Sequence, residues 1–258
     1  MITGIVVALP EELTTLTSKK IAKGRCIFMA DDLLVAYSGA GPLNAQSAAE
    51  LLVTEGATRL MSWGCAAALC ASLKPGDLIL ADELIDAGNI EVAVNADWLG
   101  YAKNSLANFV AIHSGRLAES TNIVSSSKEK KRLHSITGAV ALDMESIAIA
   151  RVAWQHSLPF LAIRVIADPV DMNLPLAINY SLNDRGEVVL GKLLLFLFLH
   201  PAELPGLIKL GLHFNAARKT LKSIAGHLDT VTAFSGDKKA VTEDQTQDER
   251  QKAKGKSA

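Results

Sequence analysis

The sequence predicts an α/β fold built on a buried parallel or mixed sheet, and three observations lead there. Hydrophobic residues are 49% of the 258 and aromatic residues only 5%, so the apolar content is aliphatic, the composition of strands covered by helices. Short β-rich runs alternate with longer helical patterns from residue 2 to about residue 180, which is α/β order. The run FLAIRVIAD at Phe160–Asp168 is almost unbroken in its hydrophobicity, as strands buried on both faces are.

Taken in order, Ile2–Leu9, Arg25–Met29 and Leu33–Ser38 read as strands. Pro42 to about Glu55 reads as a helix, because proline suits a first turn that needs no N–H there and Gly56 suits the end. Arg59–Trp63 and Leu78–Asp82 continue the strands, the first breaking at Gly64 into small residues before the turn Lys74-Pro75-Gly76-Asp77. Ala139–Leu142 is a short strand that leads at Asp143 into a helix ending near Gln155, and Phe160–Ile166 closes the series. From Leu190 the pattern is helical, with Pro201 and Pro205 preceding a basic helix around Ala216–Ile224. One domain is expected over residues 1–235, and the tail 236–258, almost free of apolar residues, is expected to be disordered.

A formal net charge of −1 leaves no basic surplus for a polyanion, so nucleic acid is not an expected partner. Cys26, Cys65 and Cys70 are odd in number and lack metal-ligand spacing, which speaks against disulfides and zinc and for a reducing cytoplasm. The opening residues show no cationic start followed by an apolar stretch and a cleavage site, so export is not expected. Val188–Leu199, VVLGKLLLFLFL, is apolar on every face with Lys192 its one charge, yet it falls well short of the ~20 residues that span a bilayer. With LPGLIKLGLHF after it, the segment from Val188 to Phe214 fits deep burial, a subunit interface, or an apolar entrance lying in lipid headgroups with Lys192 and Lys209 reaching phosphates. The last of these is the expectation.

Several residues can carry chemistry. Gly39-Ala40-Gly41 opens the Pro42 helix, where backbone N–H groups can face an anion or a ribose hydroxyl, or simply make a tight turn. Asn44 stands where a dinucleotide fingerprint wants glycine, which disfavours an oxidoreductase. Gly64, Cys65 and Ala66 would let a ligand approach a strand end, or would pack a strand-to-helix corner. Glu145 shares a helical face with Ala148, Ile149 and Val152; a carboxylate on an apolar face is functional, part of a buried ion pair, or a partner of the helix dipole. Asp168 ends the most hydrophobic strand, where α/β sheets place ligand sites and burial raises a carboxyl pKa, although a turn aspartate before Pro169 fits as well. Glu11 and Glu12 close the first strand or open a helix. The six histidines are given no role.

The order of these motifs resembles the nucleoside phosphorylase and nucleosidase superfamily, above all its methylthioadenosine/S-adenosylhomocysteine nucleosidase branch. The resemblance rests on GIVVALPEEL, SGAGPLNAQSAA, SWGCAAALCASLKPGDLILAD, and ALDMESIAIARVA with FLAIRVIADPVD, from Ile2 to about Asp171. Ala67 and Ala68 replace the usual glycines, and Pro169 follows the catalytic-type aspartate. Farther on, LNDRGEVVLGKLLLFLFLHPAELPGLIKLGLHFNAARKTL resembles hopanoid-associated phosphorylases, implied to cleave adenosylhopane.

The resemblance implies a three-layer fold, with a central mixed twisted sheet flanked by helices, here followed by a C-terminal apolar helical segment. It implies cleavage of a purine N-glycosidic bond with release of adenine, without cofactor or metal. Asp168 would protonate the base at N7, and Glu145, with Met144 packed on the sugar, would bind the ribose hydroxyls. Glu12 would activate water. Phosphate remains a possible co-substrate, held by Gly39–Gly41 or Arg164, although the acids at 11 and 12 would repel it. The substrate is expected to be lipid-linked, with a soluble methylthioadenosine-type nucleoside as the alternative and a non-catalytic nucleoside-binding or membrane-associated module as the reading from another class. A homo-oligomer, commonly a dimer, is implied, in the cytoplasm at the inner membrane face.

Overall fold

A computed structural model describes residues 1–181 and 190–235 of the chain. The tail 236–258, and Val188 and Val189 of the apolar segment, lie outside the described residues. In chain order the elements are β1 (Thr3–Val7), α1 (Pro10–Leu16), β2 (Arg25–Ala30), β3 (Leu33–Tyr37), α2 (Pro42–Thr54), β4 (Arg59–Ala68), β5 (Leu78–Ile85), β6 (Glu91–Ala93), α3 (Ala96–Leu106), β7 (Ile112–Glu119), α4 (Ser127–Thr137), β8 (Ala141–Asp143), α5 (Ser146–Gln155) and β9 (Phe160–Asp168). Beyond them come α6 (Leu176–Ser181), α7 (Leu190–Leu199), a 3₁₀ turn (Pro201–Glu203), α8 (Leu204–Ala225) and α9 (Leu228–Thr232).

The strands form one mixed sheet in the order β2-β3-β1-β4-β8-β7-β5-β6, with β9 paired to both β4 and β5. That double pairing closes β4, β9, β5, β7 and β8 into a ring. Alternation along the strands sorts the core into two layers. Leu60, Ala66, Phe160, Ala162 and Ile166 join α2 and α5 on one face; Met61, Trp63, Leu161, Ile163 and Val165 join α1, α3, α8 and α9 on the other. The three-layer architecture implied by the sequence is present.

The ten residues of β4 position the site. Its first half pairs with β1 from Thr3↔Arg59 to Val7↔Trp63, and its end pairs with β8 at Ala67↔Leu142 and Ala68↔Ala141. Between them, residues 64–66 keep β9 on one side and have neither β1 nor β8 on the other. The strand therefore does not break at Gly64 as its composition suggests. It continues through a fork, and the small residues lie where the sheet opens.

Two other boundaries differ from the sequence reading, and several elements were not read. Asp143 ends β8, and α5 begins only at Ser146, so Glu145 is the helix-capping residue instead of a member of the first turn. Residues read as a proline-punctuated segment followed by a basic helix form one continuous helix, α8, because Pro205 falls in the first turn, where it needs no intrahelical donor. The strands β6 and β7 and the helices α3 and α4 lacked a period strong enough to be read.

Within the apolar segment, none of residues 191–214 is buried. Leu194, Leu195, Phe198 and Leu199 on α7 and Leu204, Ile208 and Leu212 on α8 are exposed, Phe198 by 84%. Among the described residues no single helix is long and apolar enough to cross a membrane; the two stretches Gly191–Leu199 and Pro201–Ala225 meet at a bend of 109°.

Arg59 ties α9 and the residues just after it to the sheet. Its Nε donates to Thr3 Oγ1 at 2.7 Å, its two terminal nitrogens donate to the carbonyls of Thr232 and Phe234, and the guanidinium lies 5.3 Å from the Trp98 ring centre. Arg59→Met should cost about 3 kcal/mol in chemical unfolding, the scale of losing charge-assisted bonds to buried acceptors. A loss below about 0.5 kcal/mol, the scale of a surface change, would show that the C-terminal helices are held by packing alone.

Candidate active site

A cavity of about 290 Å³ opens at the fork. Its walls carry Glu12, Asp143, Glu145 and Asp168 beside Leu9, Met144, Leu174 and Leu210, with Ala40, Cys65 and Ala66 close by. Four acids from α1, the β8–α5 turn and the end of β9 thus reach one space, as strand-end carboxylates can when they share a sheet edge.

Glu12 lies in the first turn of α1 because Pro10 starts the helix directly after β1. Its Oε2 accepts from Leu9 N at 3.0 Å and its Oε1 from Cys65 N at 2.7 Å, so the carboxylate fills the gap where β4 lacks a neighbour. Burial pushes its pKa up to about 7, with Arg164 and the two backbone donors opposing the rise. Gly64 makes this possible: a Cβ there would stand 2.6 Å from Glu12 Oε1 and against Arg164 Nη1.

Glu145 turns toward the glycine loop. Its Oε1 accepts from Gly41 N at 2.9 Å, and burial, reinforced by the Asp143 charge, raises its pKa against the pull of Arg164. Gly41 holds a φ of +98°, a region glycine enters without the Cβ clash of other residues, and this conformation aims its N–H at the carboxylate. The Gly39–Gly41 turn therefore does face an anion, but the anion is the protein's own. Gly39 and Gly41 are not on the cavity wall; Ala40 is.

Arg164 sits behind the cavity instead of on its lining, which corrects its expected contact with substrate or phosphate. It is 1% exposed in the middle of β9. Its Nε pairs with Asp143 Oδ2 at 2.5 Å, and its Nη2 donates to Ser146 Oγ at 3.1 Å and to Ser62 Oγ. The carboxylates around it hold the guanidinium charged despite burial.

Asp168 lies at the far end of β9, where burial raises its carboxyl pKa and Lys130 opposes the rise. Lys130 Nζ stands 2.6 Å from Asp168 Oδ1. Cys65 is also on the wall, its thiol pushed well up by burial and by the Glu12 charge, which leaves it a poor nucleophile.

The structure brings together Glu12, Glu145, Asp168, Ala40, Cys65, Ala66 and Met144 as expected, with Gly64 and Arg164 supporting from behind. Sequence reasoning missed Asp143, Ser62, Ser146, Lys130 and the wall residues Leu174 and Leu210. Asp143 was signalled by its place two residues before Glu145 in ALDMES. Lys130 had no distinguishing signal within SKEKKRLH, which reads as a solvated face. Among the described residues no cluster of His, Cys, Asp and Glu is arranged to hold a metal ion.

Known proteins give this geometry a context. A 5'-methylthioadenosine/S-adenosylhomocysteine nucleosidase of Baumannia cicadellinicola subsp. Homalodisca coagulata is 29% identical over 206 residues, covering 66% of this chain and 87% of that one. The fold is shared with the Helicobacter pylori nucleosidase of the same description, at a TM-score of 0.66 and 20% identity over 90% of this chain and 97% of that one. It is also shared with Helicobacter pylori futalosine hydrolase, at a TM-score of 0.65 and 19% identity over 90% and 97%. The sequence model of the Phosphorylase superfamily matches residues 3–179, which include every strand and helix that carries an acid of the cavity, and the chain belongs to that superfamily.

Proposed function

We propose that this protein cleaves the N-glycosidic bond of a purine nucleoside, adenine being the base, and that water is the nucleophile. The observation that carries the reading is Glu12, a carboxyl near pKa 7 set over the open edge of β4 in a cavity walled by three further acids. A base of that strength takes a proton from water near neutrality. Asp168 protonates the leaving purine at N7. Glu145 keeps its Oε1 on Gly41 N, which leaves Oε2 for the ribose hydroxyls, and its charge opposes the positive charge that grows on the sugar. Met144 packs on the ring. A phosphate in this space would meet four acids and no guanidinium on the wall, which favours hydrolysis. The nucleosidase names of the relatives support the same reaction class.

The substrate we infer is a lipid-linked adenine nucleoside of the adenosylhopane type, taken at a membrane face. Leu174 and Leu210 line the cavity, and Leu210 shares α8 with the exposed Leu204, Ile208 and Leu212. Leu210 and the exposed Leu204, Ile208 and Leu212 lie on opposite sides of α8, so the helix stands between the cavity and an apolar exterior. A soluble methylthioadenosine-type substrate is the competing reading, favoured by the names of the relatives.

Asp168→Asn and Glu145→Gln should each leave the protein folded and slow adenine release from adenosine by at least ~100-fold, the usual scale for a positioned acid or charge stabiliser. Near-normal rates in both variants would overturn the assignment.

Glu12 must be ionised to accept a proton, so kcat/KM should fall as pH drops through about 7, the value burial gives its carboxyl. Glu12→Gln should bind nucleoside without turning it over, and the rate should be equal with and without phosphate. A rate that requires phosphate would make the reaction phosphorolysis.

The full chain should float with vesicles of mixed neutral and anionic phospholipid, and Leu195→Ser with Phe198→Ser should abolish flotation while adenosine turnover stays within about twofold, since neither residue lines the cavity. Absence of flotation by the intact protein, with self-association through α7 instead, would make the exposed face a subunit contact.

A further inference from the structure

We propose that Lys130 is a positioning residue for proton donation, anchoring one oxygen of Asp168 inside the protein so that the other serves the cavity. The inference rests on the reading of Asp168 as the acid that meets the base. It starts from an anomaly in α4. This helix carries Lys128, Glu129, Lys130, Lys131 and Arg132 in succession, yet the side chain of Lys130 is 0% exposed while that of Lys131 is 58% exposed. A buried ammonium needs acceptors for all its donors. Two carbonyls accept hydrogen bonds from Lys130, Met172 O at 2.9 Å and Pro169 O at 3.1 Å, and its charge is paired with Asp168 Oδ1 at 2.6 Å.

Those three contacts define what the lysine does. Two are backbone carbonyls of the turn that leaves β9, so the ammonium fixes the path of the chain beyond Asp168. The third is Oδ1, an atom closed off from solvent. Asp168 still lines the cavity, which leaves Oδ2 as the oxygen that can reach a ligand. A carboxyl with one oxygen pinned cannot rotate its proton away from the base.

The charges around the pair are few. Lys130 faces Asp168 at the end of β9 and Asp171 in the next turn, and Asp171 is itself 2.5 Å from Lys131. His134 on the same helix is turned to the Ala139 carbonyl, and Glu12, Asp143 and Glu145 share the cavity wall with Asp168. Burial raises the Asp168 carboxyl and the Lys130 ammonium pulls it back. Removing the ammonium therefore leaves Asp168 protonated to a higher pH.

The test is kinetic and compares Lys130→Met, Lys130→Arg and Asp168→Asn on adenosine and on 4-nitrophenyl riboside, whose leaving group departs without a proton. Lys130→Met should lose at least ~30-fold in kcat on adenosine with KM within about threefold, move the alkaline limb of kcat upward by about one pH unit, and spare the nitrophenyl substrate. Lys130→Arg should keep the limb where it is. Should Lys130→Met fail to fold, Lys130→Gln removes the charge while keeping a polar end, and it should move the alkaline limb upward on adenosine and spare the nitrophenyl substrate. Equal losses on both substrates with an unmoved limb would reduce Lys130 to a structural residue. A wild-type profile in Lys130→Met beside a severe loss in Asp168→Asn would overturn the inference alone, whereas an active Asp168→Asn would overturn the acid reading beneath it.

Discussion

Arg164 places a permanent positive charge in the middle of a strand whose residues are all buried, and three of the four acids of the cavity, Glu12, Asp143 and Glu145, lie around it. A guanidinium in an apolar interior is tolerated where its donors are met and its charge is opposed. Asp143, Ser62 and Ser146 meet the donors, and Glu12 and Glu145 lie close enough to feel the charge. Without it, three enclosed carboxyls would repel one another at the point where the sheet opens. With it, burial still outweighs attraction at Glu12, leaving a carboxyl that exchanges protons with neutral water. Ser146 links this cluster to α5 by accepting from Arg164 while donating to Asp143, so the turn that presents Glu145 is braced by the same charge.

The sequence announced those parts of the fold in which local preference and burial agree. FLAIRVIAD is both β-prone and enclosed, and it became β9; Pro42 and Gly56 bracket a helix that ends within two residues of Gly56. Where they disagree, the reading failed. IHSGRLAE has no clean alternation, and β7 exists because β5 and β8 supply its partners. The run of small residues after Trp63 looks like a broken strand because the fork needs slender residues, and a break and a fork have the same composition.

The candidate site shows the same division. Asp168 and Glu12 were legible from their places at strand ends. Glu145 was identified on a helical face it does not occupy, since it caps α5 and turns to Gly41. Arg164 was read only as a possible holder of phosphate, and its partner was hidden because Asp143 read as a helix start. Lys130 was illegible in principle: within five consecutive charged residues, no periodicity says which one the fold will enclose.

Strand ends and the turns beside them make the cavity wall, to which α8 adds Leu210. The acids stand on β-ring ends and on the two turns that flank them, within the part of the chain matched by its superfamily, whereas Leu210 and the exposed residues of α7 and α8 lie beyond residue 179. Of the described residues beyond 179, Leu210 alone stands on the cavity wall, and it is not among the partners of Arg164. Under the proposed reaction, a change at that one side chain alters what the cavity admits while every acid keeps its place.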